Sequence, residues 1–312
     1  MDYRSVITEI DKHDRQWRAE SRERDRRRMS SVTRRIPRIA GITFGVLLLL
    51  YLALAFPVSW YQTRLIYWND VPPMTDALTD GWEIRNYVSH DGRTQFASYL
   101  HRGDPDKPTV VYLHGRGEHH GIFRYNVTPY ESSDWTVVVP EYPGFAGLAG
   151  EPSEKAIGAL MRKVHGDLVE TGVDPADIVI HGNSLGAGPA MQLAQMPHGL
   201  LVLTAPVASM GRMMTHFAAF YPSFLLRDGW DNLGRAATRH AAPAIVVHSE
   251  DDLVVPVDQG RDMAHSLGAR YIQMDDYGHA VGILGAGIAE DEMTNGRGDE
   301  VAETAAGSRG RI

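Results

Sequence analysis

Residues 177–188 decide the fold, and they read Asp-Ile-Val-Ile-His-Gly-Asn-Ser-Leu-Gly-Ala-Gly. The β-branched run 177–181 is typical of a short buried strand, and residues 187–194 have the composition of a helix start. Between them Gly182, Ser184 and Gly186 form the pattern G-x-S-x-G. A serine on a sharp turn from strand to helix projects its oxygen from the sheet edge, and flanking glycines let the neighbouring backbone approach. We therefore predict that Ser184 is a nucleophile.

A serine nucleophile needs a base to take its proton and an acid to orient that base. An acidic loop with Asp251 and Asp252 follows the apolar run 244–248, and His279 follows a further run, 270–274. Since ligand-binding side chains of an open α/β sheet gather at the carboxyl ends of its strands, we expect these groups to meet Ser184. The residues alone leave the choice between the two aspartates open.

Strand and helix patterns alternate through the rest of the chain. A hairpin is predicted from residues 83–89 and 95–101, further strands at 109–113, 135–139 and 200–204, and helices at 154–170, 185–195, 259–267 and after 279. This alternation predicts an α/β domain with a mostly parallel sheet and an antiparallel edge hairpin. Residues 206–242, rich in Met and Phe, leave room only for a short cap or for ordinary helices packed on the sheet.

Five motifs in this order resemble one known superfamily. They are residues 110–115 ending in His-Gly, residues 141–145 with 150–154, the serine turn at 182–186, Asp252 with Val255-Pro256, and Gly278-His279. The sequence resembles the α/β-hydrolase superfamily between about residues 64 and 285. Within it, the sequence is most similar to the small membrane-anchored serine hydrolases of the bud-emergence type. The resemblance implies the α/β-hydrolase fold.

The resemblance also implies roles for single residues. Ser184 would be the nucleophile, His279 the general base and then acid, and Asp252 the carboxylate that orients it. The backbone N–H groups of Leu185 and Arg116 would form the oxyanion hole. The family has a small polar residue where Arg116 stands, so here a cation lies near the site. No cofactor and no metal are implied.

Composition limits the classes of function. The chain has 312 residues, no cysteine and a formal net charge of −8. The charge argues against nucleic acid as a partner, and the lack of cysteine excludes disulfides and a thiolate nucleophile. Residues 1–38 differ from the rest because they hold twelve Lys or Arg and seven Asp or Glu, a net charge of +5.

An uncharged apolar run, residues 39–60, follows this basic arm and is long enough to cross a membrane. We predict a cytoplasmic arm (1–38), a transmembrane helix (39–60), an extracytoplasmic hydrolase domain (61–288) and a disordered tail (289–312), because positive flanks stay inside. The alternative is a signal peptide cleaved after Ala53-Leu54-Ala55.

The predicted function is a single-pass, membrane-anchored serine hydrolase that cleaves an ester, thioester or related acyl bond of a small molecule or lipid. A short cap implies an open site, so we expect short-chain esters to be preferred without a lipid interface. Two alternatives stay open: a serine peptidase of the same fold, and a noncatalytic membrane scaffold with a hydrolase-like domain. Glu118 beside His119-His120 is also weighed as a metal site, but loop histidines of this kind are more often polar contacts.

Overall fold

The computed structural model describes residues 3–71, 81–88, 92 and 94–308. The chain divides into two compact units, residues 1–58 and residues 59–312.

The first unit is the greater part of one long helix, α1 (Tyr3–Tyr67), which contains Pro37 and Pro57. Among the described residues, the segment Ala40–Tyr67 is the only one long and apolar enough to cross a membrane, with a mean hydropathy of 2.2. This segment overlaps the predicted span, residues 39–60, and continues a further seven residues past it. The last residues of α1, from Ser59 onward, belong to the second unit.

The second unit is built on one sheet of eight strands in the order β1-β2-β4-β3-β5-β6-β7-β8. The strands are β1 (Trp82–Val88), β2 (Gln95–His101), β3 (Thr109–Leu113), β4 (Thr136–Glu141), β5 (Ile178–Asn183), β6 (Leu200–Thr204), β7 (Ala244–Ser249) and β8 (Arg270–Met274). Strand β2 pairs antiparallel with both β1 and β4, while the pairs from β4 through β8 are all parallel. The predicted parallel sheet with an antiparallel edge hairpin is therefore confirmed; residues 89–91 and 93 of its turn lie outside the described residues.

Seven helices beyond α1 are seen in the described part of the second unit. They are α2 (His120–Ser132), α3 (Glu154–Glu170), α4 (Ala187–Leu193), α5 (Met210–Phe217), α6 (Asn232–Ala236), α7 (Val257–Leu267) and α8 (Gly282–Ser308). Two apolar clusters show how they cover the sheet. Val111 and Leu113 of β3 lie in the cluster of α3, α4 and α7, whereas Val110 and Tyr112 lie in that of α2 and α8. Alternate residues of a strand point to opposite faces, so the helices form a layer on each side of the sheet.

Two helices differ from the predictions. Helix α2 is absent from the predicted elements; it is amphipathic, and it buries Phe123 and Val127 four residues apart on one face. The predicted start of a disordered tail at residue 289 is wrong, because Ala286 and Ala289 are fully buried and Met293 packs against the same cluster. Helix α8 therefore continues past this boundary to Ser308, and residues 309–312 lie outside the described residues.

Residues 206–242 form the short cap, which consists of α5, a 3₁₀ turn at Ser223–Leu225 and α6. The cap is hydrogen-bonded to the end of α1. The Ser59 and Tyr221 hydroxyl oxygens are 2.8 Å apart, and Gln62 Oε1 accepts the Arg227 N–H at 2.8 Å. Met210 and Tyr221 are buried as ordinary packing residues, while the aromatic residues Phe217, Phe220 and Phe224 are exposed. Ordinary packing thus accounts for Met210 and Tyr221, and a cap over the site stays a prediction.

Candidate active site

Ser184 lies directly after β5, in the 3₁₀ turn Ser184–Gly186 that leads into α4. Its φ of 54° is in the left-handed region, which costs about 1–2 kcal/mol for a residue with a side chain. The two glycines are there because of close backbone contacts. A Cβ on Gly186 would come within 1.9 Å of the Leu113 carbonyl oxygen, and one on Gly182 within 2.8 Å of the Gly186 carbonyl oxygen. The predicted strand, sharp turn and helix are all present.

The structure brings Ser184, His279 and Asp252 together at the carboxyl edge of the sheet. The Ser184 Oγ is 2.9 Å from His279 Nε2, and His279 Nδ1 is 2.8 Å from Asp252 Oδ2. Because a carboxylate can only accept, the Nδ1 of a neutral His279 carries the hydrogen, and its Nε2 is left to accept from the serine hydroxyl. This geometry lets His279 take a proton from Ser184.

Asp252 is held as an ionised acceptor. Its Oδ1 accepts the N–H groups of Val254 and Val255 at 2.8 and 2.9 Å, and its Oδ2 lies 3.1 Å from Nε2 of the buried His248. Burial raises the pKa of Asp252, but the hydrogen bonds to His248 and His279 outweigh it, so the pKa is well below its usual range. The contact between His248 and Asp252 was not predicted from the sequence.

Asp251 has a different environment from Asp252. Its Oδ1 accepts the Gly278 N–H at 3.1 Å and the Ser249 hydroxyl, and the side chain is exposed. Asp251 therefore contacts the loop just before His279 and not the imidazole itself. Ser249, the last residue of β7, supplies the hydroxyl for this contact.

The loop after β3 lies against the serine. A Cβ on Gly115 would be 3.2 Å from Ser184 Cβ, so any side chain there would crowd the site. Arg116, the next residue, is exposed, and its guanidinium carbon lies 4.9 Å from the centre of the Trp68 ring. Leu185, the other residue whose N–H is expected to face the oxyanion, is buried in the turn.

The buried Glu118 carboxylate holds the loop after β3 in place, a role that was not predicted from the sequence. Its Oε2 accepts the Gly115 N–H at 2.6 Å and the Asn183 amide at 3.2 Å. Its Oε1 accepts the Tyr112 hydroxyl at 2.8 Å and the Asn126 amide at 2.7 Å. The buried carboxylate thus joins the loop to Asn183, the residue that precedes the serine. In the described part of the chain, no three His, Asp or Glu side chains are grouped so as to hold a metal ion.

Comparison with known proteins identifies the fold and a matching family. A family model described as the alpha/beta hydrolase family matches residues 110–246. The Pyrococcus furiosus esterase Pf2001 superposes with a TM-score of 0.53 at 14% identity, over 72% of this chain and 95% of that one. The chain therefore has the α/β-hydrolase fold, and residues 110–246 match that family. A puromycin-hydrolysing peptidase of Mycobacterium tuberculosis shares the fold at a TM-score of 0.55 and 18% identity, over 68% of this chain and 38% of that one.

Among sequence relatives is an uncharacterized protein of Mycobacterium tuberculosis, 28% identical over 70% of this chain and 80% of the relative. The lysophosphatidylserine lipase ABHD12 of Danio rerio is 25% identical over 56% of this chain and 53% of the lipase. The Rattus norvegicus lipase of the same name is 27% identical over 50% and 44%. The chain thus spans about half the length of these lipases.

Two further buried histidines, His181 and His114, contact groups outside the triad. His181 in β5 is fully buried between the Tyr130 hydroxyl (3.0 Å) and the Thr204 hydroxyl (3.2 Å), so both of its ring nitrogens have a partner. Burial lowers its pKa to about 3. His114 lies 3.1 Å from Glu141; burial lowers its pKa, but the carboxylate raises it, and the net shift is upward.

Proposed function

We propose that this chain is a membrane-anchored serine hydrolase that cleaves a carboxylic ester, with Ser184 as nucleophile. The observation that carries the proposal is the pair of contacts from His279, 2.9 Å to the Ser184 oxygen and 2.8 Å to the Asp252 carboxylate. A serine hydroxyl becomes a useful nucleophile when a base within hydrogen-bond distance can take its proton.

In the proposed reaction, Ser184 Oγ attacks the ester carbonyl carbon while its proton passes to His279 Nε2. The N–H groups of Leu185 and Arg116 stabilise the resulting oxyanion, at about 3 kcal/mol per donor. His279 then gives its proton to the leaving alkoxide, which departs as an alcohol and leaves an acyl-serine. Water, deprotonated by His279, releases the acid and restores the serine. Asp252 stabilises the imidazolium in both steps.

Membrane anchoring is proposed from the apolar part of α1. Its 28-residue apolar segment, Ala40–Tyr67, follows the basic arm, and Trp60, Tyr61 and Tyr67 stand near its carboxyl end. Exposed interfacial aromatics, here Trp60 and Tyr61, and a positive cytoplasmic flank are the usual marks of a single-pass helix, whereas Tyr67 is buried in the second unit. The hydrolase unit then faces outward and residues 1–38 stay inside.

A lipid ester is the substrate we favour. Phe217, Phe220 and Phe224 of the cap are 61%, 46% and 83% exposed, an arrangement that suits contact with an apolar surface. Two similar proteins are named lysophosphatidylserine lipases. The competing expectation, short-chain esters cleaved without an interface, is tested by measuring kcat/KM across acyl lengths with and without vesicles.

A serine-directed fluorophosphonate probe on the full chain tests the reaction itself. We expect covalent labelling of the wild type and none of Ser184→Ala. Ser223→Ala, which removes an exposed cap serine, is the matched control and should label normally. Labelling that persists in Ser184→Ala would refute the nucleophile. A wild-type chain that neither labels nor turns over esters would favour the noncatalytic scaffold, and amide cleavage with no ester cleavage would favour the peptidase.

A further inference from the structure

A cavity of about 590 Å³ lies beside the loop that carries Arg116. Its walls include Arg64 and Leu65 from the end of α1, Trp68 and Asp70 just after that helix, and Arg116. All of these residues belong to the second unit. The volume is in the range of small-molecule sites, about 300–1,000 Å³. We call this cavity the arginine pocket.

The helix face that borders the arginine pocket is left uncovered. Tyr61, Leu65 and Trp68 are 53%, 49% and 56% exposed, although they are large and apolar. With Arg64 they follow the spacing i, i+3, i+4 and i+7, which places them on one side of the helix end. The opposite side, with Ile66 and Tyr67, is buried in the core of the second unit. The core of the second unit therefore covers one side of this segment and leaves the side along the pocket exposed.

The charges of the arginine pocket are not balanced by the protein. Among the described residues, neither the Arg64 nor the Arg116 guanidinium forms an ion pair, and Asp70 is the only acidic side chain that lines the pocket. Partial burial lowers the pKa of Arg116, whose guanidinium lies over the Trp68 ring. Two cations against one carboxylate in an uncovered, partly apolar cleft suit an anion that also has an apolar portion.

Backbone geometry places the arginine pocket next to the reacting serine. Gly115, the neighbour of Arg116, lies against Ser184, and a Cβ on Gly117 would meet the Trp68 ring at 3.8 Å. Trp68 itself has a φ of 40°, a strained conformation for a bulky residue. Strain of this kind gathers at functional sites, where the surrounding structure holds it.

From these observations we propose that the arginine pocket binds the phosphate of a phospholipid whose ester carbonyl lies at Ser184, with Arg64 and Arg116 as the phosphate ligands. This inference rests on the proposed function and names its substrate class. Only a few bonds of the glycerol backbone separate the ester carbonyl of such a lipid from its phosphate. The arginine fork pairs well with phosphate oxygens, and the Tyr61 and Leu65 side chains border the path of the acyl chain.

The test compares two soluble esters with the same short acyl chain, a monoacyl glycerophospholipid and a monoacylglycerol, both as monomers. The full chain is held in nonionic detergent, so that attraction to a charged lipid surface makes no contribution. The measured quantity is the ratio of kcat/KM for the phosphate ester to that for the neutral ester. Because each variant serves as its own reference, a general loss of folding or of catalysis cancels in this ratio.

We expect Arg64→Gln and Arg116→Gln each to lower the ratio about 10-fold or more, mainly through KM for the phosphate ester. Arg102→Gln is the control. Arg102 is an exposed arginine beyond the end of β2, at the opposite edge of the sheet from Ser184, and should leave the ratio unchanged. Unchanged ratios in both pocket variants would refute the phosphate site while ester turnover still upheld the hydrolase. A wild-type chain that cleaves neither ester would overturn the proposed function and the pocket together.

Discussion

Replacing Glu118 with glutamine tests whether the buried carboxylate holds the loop after β3 in place. Glutamine keeps the shape of the side chain but exchanges one acceptor oxygen for an amide donor. All four partners, Gly115, Asn183, Tyr112 and Asn126, donate to Glu118. Whichever oxygen position the glutamine NH₂ takes, it faces at least one N–H group. Two donors cannot form a hydrogen bond, so that bond is lost.

The magnitude follows from two opposing terms. Hydrogen bonds to a charged group contribute about 1.5–3 kcal/mol each, so losing one or two costs roughly 2–5 kcal/mol. Against this, the neutral side chain no longer pays the desolvation cost of a buried carboxylate. Two donors face each other in either orientation of the amide. We therefore expect the lost hydrogen bonds to outweigh the relieved desolvation and to lower the free energy of unfolding by about 2 kcal/mol. For a domain of this size that lowers Tm by about 4–8 °C.

Thermal unfolding of the full chain in detergent measures this change, and ester turnover measures the effect on the site. Glu118→Gln should lower Tm as stated and reduce kcat/KM about 10-fold, because the Gly115 backbone next to Ser184 loses its 2.6 Å anchor. Glu83→Gln is the control, since Glu83 forms only an exposed pair with Arg102 and should shift Tm little. A Glu118→Gln protein as stable as the wild type would show that the desolvation of the carboxylate outweighs its four bonds.

Three further predictions concern the acid, the pH dependence of stability and the topology. Asp252→Asn should lower kcat by about 10³–10⁴-fold and Asp251→Asn by less than about 10-fold, and the reverse order in steady-state assays would contradict the assignment. Because burial lowers the pKa of His181 to about 3, the unfolded chain takes up a proton below pH ~6.5 that the folded chain does not. Stability should then fall as the pH drops from about 6.5 toward 3. In urea unfolding, His181→Asn should reduce the slope of the unfolding free energy against pH by up to ~1.4 kcal/mol per pH unit. An unaltered slope would exclude this histidine as the cause. Protease added to intact cells should digest residues 61–288 and spare residues 1–38, and a protected hydrolase unit would reverse the topology.

Much of the fold could be predicted because buried strands leave a local signal. The strands at 109–113, 200–204 and 270–274 have the predicted bounds, and each is a short run dominated by apolar or β-branched residues. Helix α2 was not predicted because few apolar residues lie on its buried side and because it contains Pro129. The predicted end of α8 was too early, because the glycine and charged residues after 289 suggested disorder. The burial of Ala289 depends on the sheet that α8 covers, which the local sequence does not show.

The candidate site shows a similar division between local and distant information. The serine, the aspartate and the histidine follow one another along the chain, each just after a strand. Ser184 and His279 could therefore be predicted from their positions. The choice between Asp251 and Asp252 depends on the turn, where the N–H groups of Val254 and Val255 bind Asp252 alone. Glu118 had no local signal, because its partners lie on separate elements: Tyr112 on β3, Asn126 on α2 and Asn183 at the end of β5, 65 residues away.

Three residues near the site have strained backbone conformations that are held by contacts with their neighbours. Ser184, Trp68 and Ala205 have φ values of 54°, 40° and 43°, and such conformations persist only where the surrounding structure over-determines them. The Trp68 N–H is bonded to the Arg64 carbonyl at 3.0 Å, the Ala205 N–H to the Val247 carbonyl at 2.9 Å, and Gly186 presses against the strand end at Leu113. Donors that stabilise an oxyanion act best when they are in position before charge develops. The strain at this sheet edge is therefore what we expect of a site assembled by the fold itself, with no rearrangement left for the substrate to drive.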